Sequence, residues 1–289
     1  MMKCCILSNP DLAVRHKPVH NIVNYLQQKG ASVLLPDTLA GVINNLNLKQ
    51  EQIASETECV KRCDVVIAIG GDGTMLRSAK LVHDAAKPIL GINSGRLGFL
   101  ADTQIHEISE ALDQLLLGKW ETVNRFLLEA KSRGKSFYAL NEFLFSKHAD
   151  VSMITLEVYY GEYLINKYWA DGLIVATPTG STAYNLSAGG PIIFPDTNVI
   201  VVTPVCPHAL TTRSLVLPAE KKLRVKSVPD NQRILFSNDG SICQLDDNGL
   251  DVEIGKTDFH VNLIKLPGRN YFETLRTKLM WGLDQRDRS

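Results

Sequence analysis

No long hydrophobic run occurs in this chain: its apolar stretches are strand-sized and broken by Gly, Pro or Asp, so none is built to span a bilayer. It carries no charge surplus, since 31 basic side chains balance 31 acidic ones. That balance excludes a global field able to recruit nucleic acid or an anionic membrane, and leaves anionic substrates to be handled locally. Paired-cysteine spacing is also lacking. Cys4, Cys5, Cys59, Cys63, Cys206 and Cys243 read as reduced thiols; Cys59 and Cys63 share a helical spacing, but no second ligand pair follows, so no metal site is expected. His16 and His20 have similar spacing in a polar amphipathic stretch and read as surface residues. There is no Gly-x-Gly-x-x-Gly fingerprint, no Walker-type lysine, no internal repeat and no low-complexity segment. The first apolar residues give way at once to Ser8-Asn9-Pro10-Asp11, which is not a signal-peptide pattern. A cytoplasmic protein with reduced thiols is expected.

The 289 residues, 45% of them hydrophobic, are enough to bury a large core in two domains. Up to about residue 122, strand and helix signals alternate. Strands are expected at Cys4 to Leu7, Ser32 to Leu35, Val65 to Ile69 and Ile89 to Ile92, with helices at Val19 to Gln28, Thr74 to Ala86 and Ile105 to Leu117. Alternation of this kind predicts an α/β domain with a doubly wound parallel sheet. After Trp120 the pattern changes to short β runs separated by turn residues such as Gly161, Pro229-Asp230, Asp239-Gly240 and Asn248-Gly249. A mostly β domain over 123–266 is therefore expected. Tyr271 to Trp281 has helical spacing, and the tail 267–289 is expected to pack back on the first domain.

Two segments carry chemistry. The first is Val65 to Ile69 followed by Gly70-Gly71-Asp72-Gly73-Thr74, an apolar strand that empties into three glycines around one carboxylate. Three missing β-carbons let backbone N–H groups of Gly70, Gly71 and Gly73 approach an anion while Asp72 points into the crevice, with Arg77 one turn further on as a phosphate partner or a surface residue. The plainer reading is a tight strand-to-helix turn in which Asp72 caps the helix. The second segment runs from Asp171-Gly172 through the strand Leu173 to Ala176 into Thr177-Pro178-Thr179-Gly180-Ser181-Thr182-Ala183-Tyr184-Asn185, then Ser187 and Gly189-Gly190-Pro191. Its hydroxyls and amides form a neutral polar cradle suited to ribose and phosphate oxygens, with Tyr184 able to pack on a base.

These segments, with Asn93 to Leu100 and Asn141-Glu142, occur in the order and spacing of the NAD kinase family, which the chain resembles over nearly its whole length. Gly-Gly-Asp-Gly alone is shared with diacylglycerol-type lipid kinases and phosphofructokinases; the Thr177 to Tyr184 run is the specific element. The resemblance implies transfer of the γ-phosphate of ATP to the 2'-hydroxyl of the adenosine ribose of NAD, with Asp72 as the base. It implies a dinucleotide site comprising Asp72, Gly73, Phe99, Asn141, Glu142, Trp169, Asp171, Thr179, Thr182, Ala183, Tyr184, Asn185 and Ser187. It also implies magnesium arriving with ATP rather than held in a protein cage, and a homodimer or homotetramer.

The chain departs from the family pattern at Asp239-Gly240-Ser241, where many relatives read Asp-Gly-Gln, and at Trp169, where the family varies between basic and small residues in a way linked to the choice of oxidised or reduced dinucleotide. Two other functions compete: a lipid kinase sharing the glycine motif, against which the hydroxyl-rich run argues, and a non-catalytic dinucleotide sensor, against which the retained Asp72 argues.

Overall fold

The computed structural model describes residues 1–11, 16–43, 46–83, 85–95, 98–149, 152–228, 233–243 and 249–281. The chain divides into two compact units, Met1–Asn124 with Val261–Ser289, and Arg125–His260. No helix among the described residues is long and apolar enough to cross a membrane.

The first unit comprises β1 (Lys3–Ser8), α1 (His16–Gln28), β2 (Ser32–Pro36), α2 (Asp37–Ala40), β3 (Ile53–Ala54), α3 (Glu56–Arg62), β4 (Val65–Gly70), α4 (Asp72–Val82), β5 (Ile89–Asn93), β6 (Thr103–Gln104) and α5 (Ile108–Leu116). Its strands pair in parallel in the order β3-β2-β1-β4-β5-β6. Every residue of β4 is buried, as expected of an apolar strand without alternation that is covered on both faces. Helix α1 buries Val19, Ile22, Val23 and Leu26, one stripe at helical spacing. The chain winds outward from β1 to β2 and β3, then returns to β4 on the other side of β1. In open parallel sheets the carboxyl ends of the strands on either side of such a reversal bound the ligand crevice.

The second unit, mostly β as expected, begins within β7 (Glu121–Ser132) and continues through β8 (Lys135–Ala139), β9 (Glu142–Lys147), β10 (Ile154–Tyr160), β11 (Tyr163–Ala176), α6 (Tyr184–Ser187), β12 (Val199–Pro207), β13 (Leu215–Pro218), β14 (Leu223–Ser227), β15 (Ile234–Asn238), β16 (Ser241–Cys243) and β17 (Asp251–Lys265). The latter half of β11 lies between β9 and β12, and its first half pairs with β10, which in turn pairs with β14. Phe236 stacks on Phe143 and Phe145, with ring centroids 5.3 and 5.0 Å away, at the centre of this unit's core.

Tyr163 to Tyr168 and Leu173 to Ala176 read as two strands but form one, because Asp171-Gly172 does not turn. A β-carbon on Gly172 would lie 2.6 Å from the Phe145 carbonyl oxygen, so the glycine admits a close strand rather than a bend. Leu250 to Ile254 and Phe259 to Leu263 likewise merge into β17. Its last residues belong to the first unit, where Leu263 pairs with Ile89 and Ile264 and Leu266 enter the core. Helix α7 (Tyr271–Leu279) follows, capped by Asn270 accepting the Phe272 N–H at 2.9 Å, and it too belongs to the first unit. The turn expected at Pro229-Asp230, Asn248 of the Asn248-Gly249 turn, and Arg96-Leu97 of the Asn93 to Leu100 run lie outside the described residues.

Candidate active site

In the first unit β4 stops at Gly70 and α4 starts at Asp72, with Gly71 between them in extended backbone (φ −101°, ψ −167°). None of Gly70, Gly71 and Gly73 has positive φ, so no left-handed backbone is what calls for glycine here. What the glycines provide is room: a β-carbon on Gly71 or Gly73 would meet no atom of the chain within 4 Å. The Thr74 and Met75 N–H groups both donate to the Gly71 carbonyl, at 3.0 and 3.2 Å, which leaves the amides ahead of them pointing out of the helix start, where an anion is favoured. Asn9, Pro10, Asp11, Gly73, Thr74 and Arg77 line a cleft of about 300 Å³ there, at the carboxyl ends of β1 and β4. Arg77 is not a free phosphate ligand, since its Nη2 donates to both oxygens of Glu56 on α3, at 2.5 and 2.6 Å.

Asp72 has a structural task that its position in the sequence does not reveal. Oδ2 accepts the Phe99 N–H at 3.0 Å, and Oδ1 accepts those of Leu100 and Ala101 at 3.0 and 3.4 Å. The carboxylate therefore anchors the turn from Gly98 to Ala101, and a β-carbon on Gly98 would fall 2.1 Å from Oδ1. A carboxylate offers roughly four acceptor directions, so one remains for a ligand proton. The Phe99 ring lies under the Lys278 ammonium, 5.2 Å from its centroid.

In the second unit the residues from 139 to 142, the turn after β11 and the β15–β16 hairpin interlock. Thr177 N–H donates to the Asn141 carbonyl at 2.9 Å and its Oγ1 to that of Leu140 at 2.6 Å. Gly180 rests on Asn141 so closely that a β-carbon would lie 2.1 Å from the carbonyl oxygen. From the hairpin, Asp239 accepts the N–H groups of Leu140, Asn141 and Glu142 at 2.9, 2.8 and 3.2 Å. Asp239 and Gly240 both have positive φ (46° and 77°), the tight hairpin turn that an Asp-Gly pair permits.

The hydroxyl-rich run is less of a cradle than its composition implies. Ser181 Oγ donates to the Pro178 carbonyl at 2.6 Å and accepts the Ile193 N–H at 3.0 Å. Asn185 is fully buried, its Nδ2 donating to the carbonyls of Ser181 and Pro191 and its Oδ1 accepting from Thr203 Oγ1 at 2.6 Å. These side chains brace the loop. Thr182 Oγ1 makes a long bond to the Thr179 carbonyl, 3.4 Å. Thr179, Thr182 and Ala183 are half-buried, whereas Tyr184 and Ser187 are exposed. Trp169 is half-exposed and stacks on His208, centroids 4.1 Å apart, beside a cleft of about 370 Å³ that Arg213 and Lys167 also line. Asp171 pairs with Lys147 at 2.8 Å. Sequence reasoning did not assign Lys147 or His208 to the site, and it took Asp239 only as a turn residue.

Glu142 is the electrostatic anomaly of the site. It is buried, its Oε2 has no hydrogen-bond partner, and desolvation, aided by the charge of Asp239, pushes its carboxyl up to about 7. A carboxyl raised in the folded state favours folding while protonated, and that advantage is lost as pH rises from its ordinary value of 4.5 through 7. Glu142→Gln is therefore expected to be more stable than wild type by about 3 kcal/mol at pH 8 and nearly equal at pH 4. Urea denaturation at the two pH values checks this, and equal gaps at both would contradict it.

Models of the ATP-NAD kinase N-terminal domain and the ATP-NAD kinase C-terminal domain match residues 6–120 and 140–266. The NAD kinase of Cytophaga hutchinsonii is 37% identical over 277 residues, 93% of this chain and 94% of that one. The NAD kinase of Flavobacterium psychrophilum is 40% identical over 273 residues, 91% and 92%. Among solved structures, yeast NADH kinase complexed with NADH superposes with TM-score 0.88 at 22% identity, covering 98% of this chain and 89% of that one. An NAD kinase from Archaeoglobus fulgidus in complex with ATP does so with TM-score 0.76 at 23% identity, covering 96% and 99%. The structural likenesses support the fold; the sequence matches, running through the glycine turn and the interlocked strand ends alike, establish that the chain belongs to the NAD kinase family.

Proposed function

We propose that this protein is a kinase that transfers the γ-phosphate of ATP to the 2'-hydroxyl of the adenosine ribose of NAD, giving NADP. The observation that carries this reading is Glu142, a buried carboxyl with an orphaned oxygen at a strand end laced to the hydroxyl-rich turn. A buried acceptor without a partner is costly unless a ligand donor meets it, and sugar hydroxyls are such donors. The acyl chains of a lipid offer none.

Phosphoryl transfer depends on alignment and charge neutralisation more than on covalent help. Asn141, Glu142 and the turn bearing Thr179, Thr182, Ala183 and Tyr184 hold the dinucleotide, with Trp169, Asp171 and Ser187 toward its other end. The helix start at Gly71 to Gly73 receives phosphate oxygens, and Asp72 takes the ribose proton late in the step through its remaining acceptor direction. Magnesium is read as carried on the phosphates as part of the ATP substrate; among the described residues no cluster of three or more His, Cys, Asp or Glu is arranged to hold a metal ion. The reading extends to a cytoplasmic protein, without nucleic-acid or membrane partners, that forms a homodimer or homotetramer. The edge strand β13, whose Leu215 and Val216 are exposed, suits pairing between copies.

Labelled ATP offered with NAD or with diacylglycerol tests the proposal. Label is expected in NADP alone, and label in lipid, or in neither acceptor, would overturn it.

A further inference from the structure

We infer that Asp239 is a positioning residue for dinucleotide binding, the group that aims Asn141 and Glu142 into the site from a hairpin more than ninety residues away in sequence. This rests on the reading of Asn141 and Glu142 as the dinucleotide grip.

Three consecutive N–H groups, those of Leu140, Asn141 and Glu142, converge on one carboxylate at 2.8–3.2 Å. Consecutive amides in an extended strand point to opposite sides, so this convergence means that the chain is bent away from a regular ladder just where β9 begins. Something has to pay for that bend, and charge-assisted bonds to a carboxylate are roughly twice as strong as neutral ones. Asp239 also donates its own N–H to the Glu142 carbonyl at 3.1 Å, which closes the link from both sides. The left-handed backbone at Asp239 is tolerated by few residue types, and aspartate meets both that demand and the need for an anion.

The same carboxylate is a like charge beside Glu142. Among the described residues, Asp239 is the charge that bears on Glu142. β11 sets Ala176 across from it, the following turn brings Thr177, Pro178 and Thr179, and β15 brings Asn238, whose Nδ2 donates to the Tyr138 carbonyl. Lys147 and Asp171, at the far end of β9 and on β11, are paired with each other. On β8, Tyr138 donates its hydroxyl to Glu129. Asp239 thus bears on Glu142 twice, fixing its backbone and adding a like charge to the effect of burial.

Calorimetric titration of NAD into the full-length protein between pH 5.5 and 8.5, with Asp239→Asn, Asp239→Glu and Asp239→Ala alongside wild type, tests the inference. In wild type, affinity is expected to rise as Glu142 ionises, with a midpoint near 7. Asp239→Asn keeps an acceptor but loses the charge, so affinity at pH 8 is expected to fall about tenfold and the midpoint to move down by about one pH unit. Asp239→Glu restores the midpoint but not the affinity, since its longer side chain misplaces the acceptors. Asp239→Ala is expected to lose measurable binding; should it fail to fold, Asp239→Asn decides. A midpoint unmoved in folded Asp239→Asn, with affinity lost or kept, would overturn the inference. A wild type that neither binds nor phosphorylates NAD would instead sink the functional reading beneath it.

Discussion

Asp72→Asn is expected to lower turnover by at least about a hundredfold, the scale set by losing a general base. The geometry adds a second effect. Asparagine keeps one acceptor for Leu100 and Ala101 but turns an amide donor toward the Phe99 N–H, which Asp72 Oδ2 accepts at 3.0 Å. Donor facing donor leaves a polar group unmet, at a cost of roughly 1–3 kcal/mol. The variant should therefore unfold at lower urea as well as turn over slowly. NAD affinity, measured on the folded variant by calorimetry, should survive within a few-fold, because the dinucleotide is held by residues of the second unit. Near-normal turnover in a folded Asp72→Asn would exclude the base role and leave Asp72 as the anchor of the Gly98 to Ala101 turn.

Gly180→Ala should be nearly as damaging without touching a charged group. Its new β-carbon would lie 2.1 Å from the Asn141 carbonyl oxygen and 2.7 Å from that residue's Cα. Neither is the end of a flexible side chain, so the backbone has to move. Asn141 is also tied to Thr177 and to Asp239, and a shift propagates into both contacts. Overpacking of this kind costs about 1–3 kcal/mol of stability. A displacement near 1 Å in positioning residues costs activity on the order of a hundredfold. Steady-state kinetics against NAD, with folding checked by circular dichroism, measures it; wild-type kinetics would mean that the contact between the turn and Asn141 has no functional weight.

Much of the fold was legible because it rests on local signals. The uninterrupted apolar run of β4 and the stripe Val19, Ile22, Val23, Leu26 each declare their element without help from the rest of the chain. Short elements such as α2 and α3 carry too few residues to display a period. Asp171-Gly172 is not decided by its sequence, because an Asp-Gly pair has two uses, turning and admitting a close neighbour, and only the neighbour, Phe145, decides between them. The site divides the same way. Its glycine turn and hydroxyl-rich run announce themselves, but their side chains are assigned by partners far off in sequence. Ser181 and Asn185 are consumed within the fold, Arg77 is taken by Glu56, and Asp239 is drawn into the site by three amides nearly a hundred residues earlier. Composition names the chemistry available, not which atoms are already spoken for.

The continuity of β17 separates the order of synthesis from the order of assembly. A nascent chain emerging from the ribosome presents β1 through α5 first, yet the place beside Ile89 and part of the apolar interior stay vacant until Leu263, Ile264 and Leu266 appear. The α/β unit is thus finished by residues that follow the whole of Arg125–His260 in the chain, so the mostly β unit is an insertion in its sequence and is made in full before the unit that flanks it is complete.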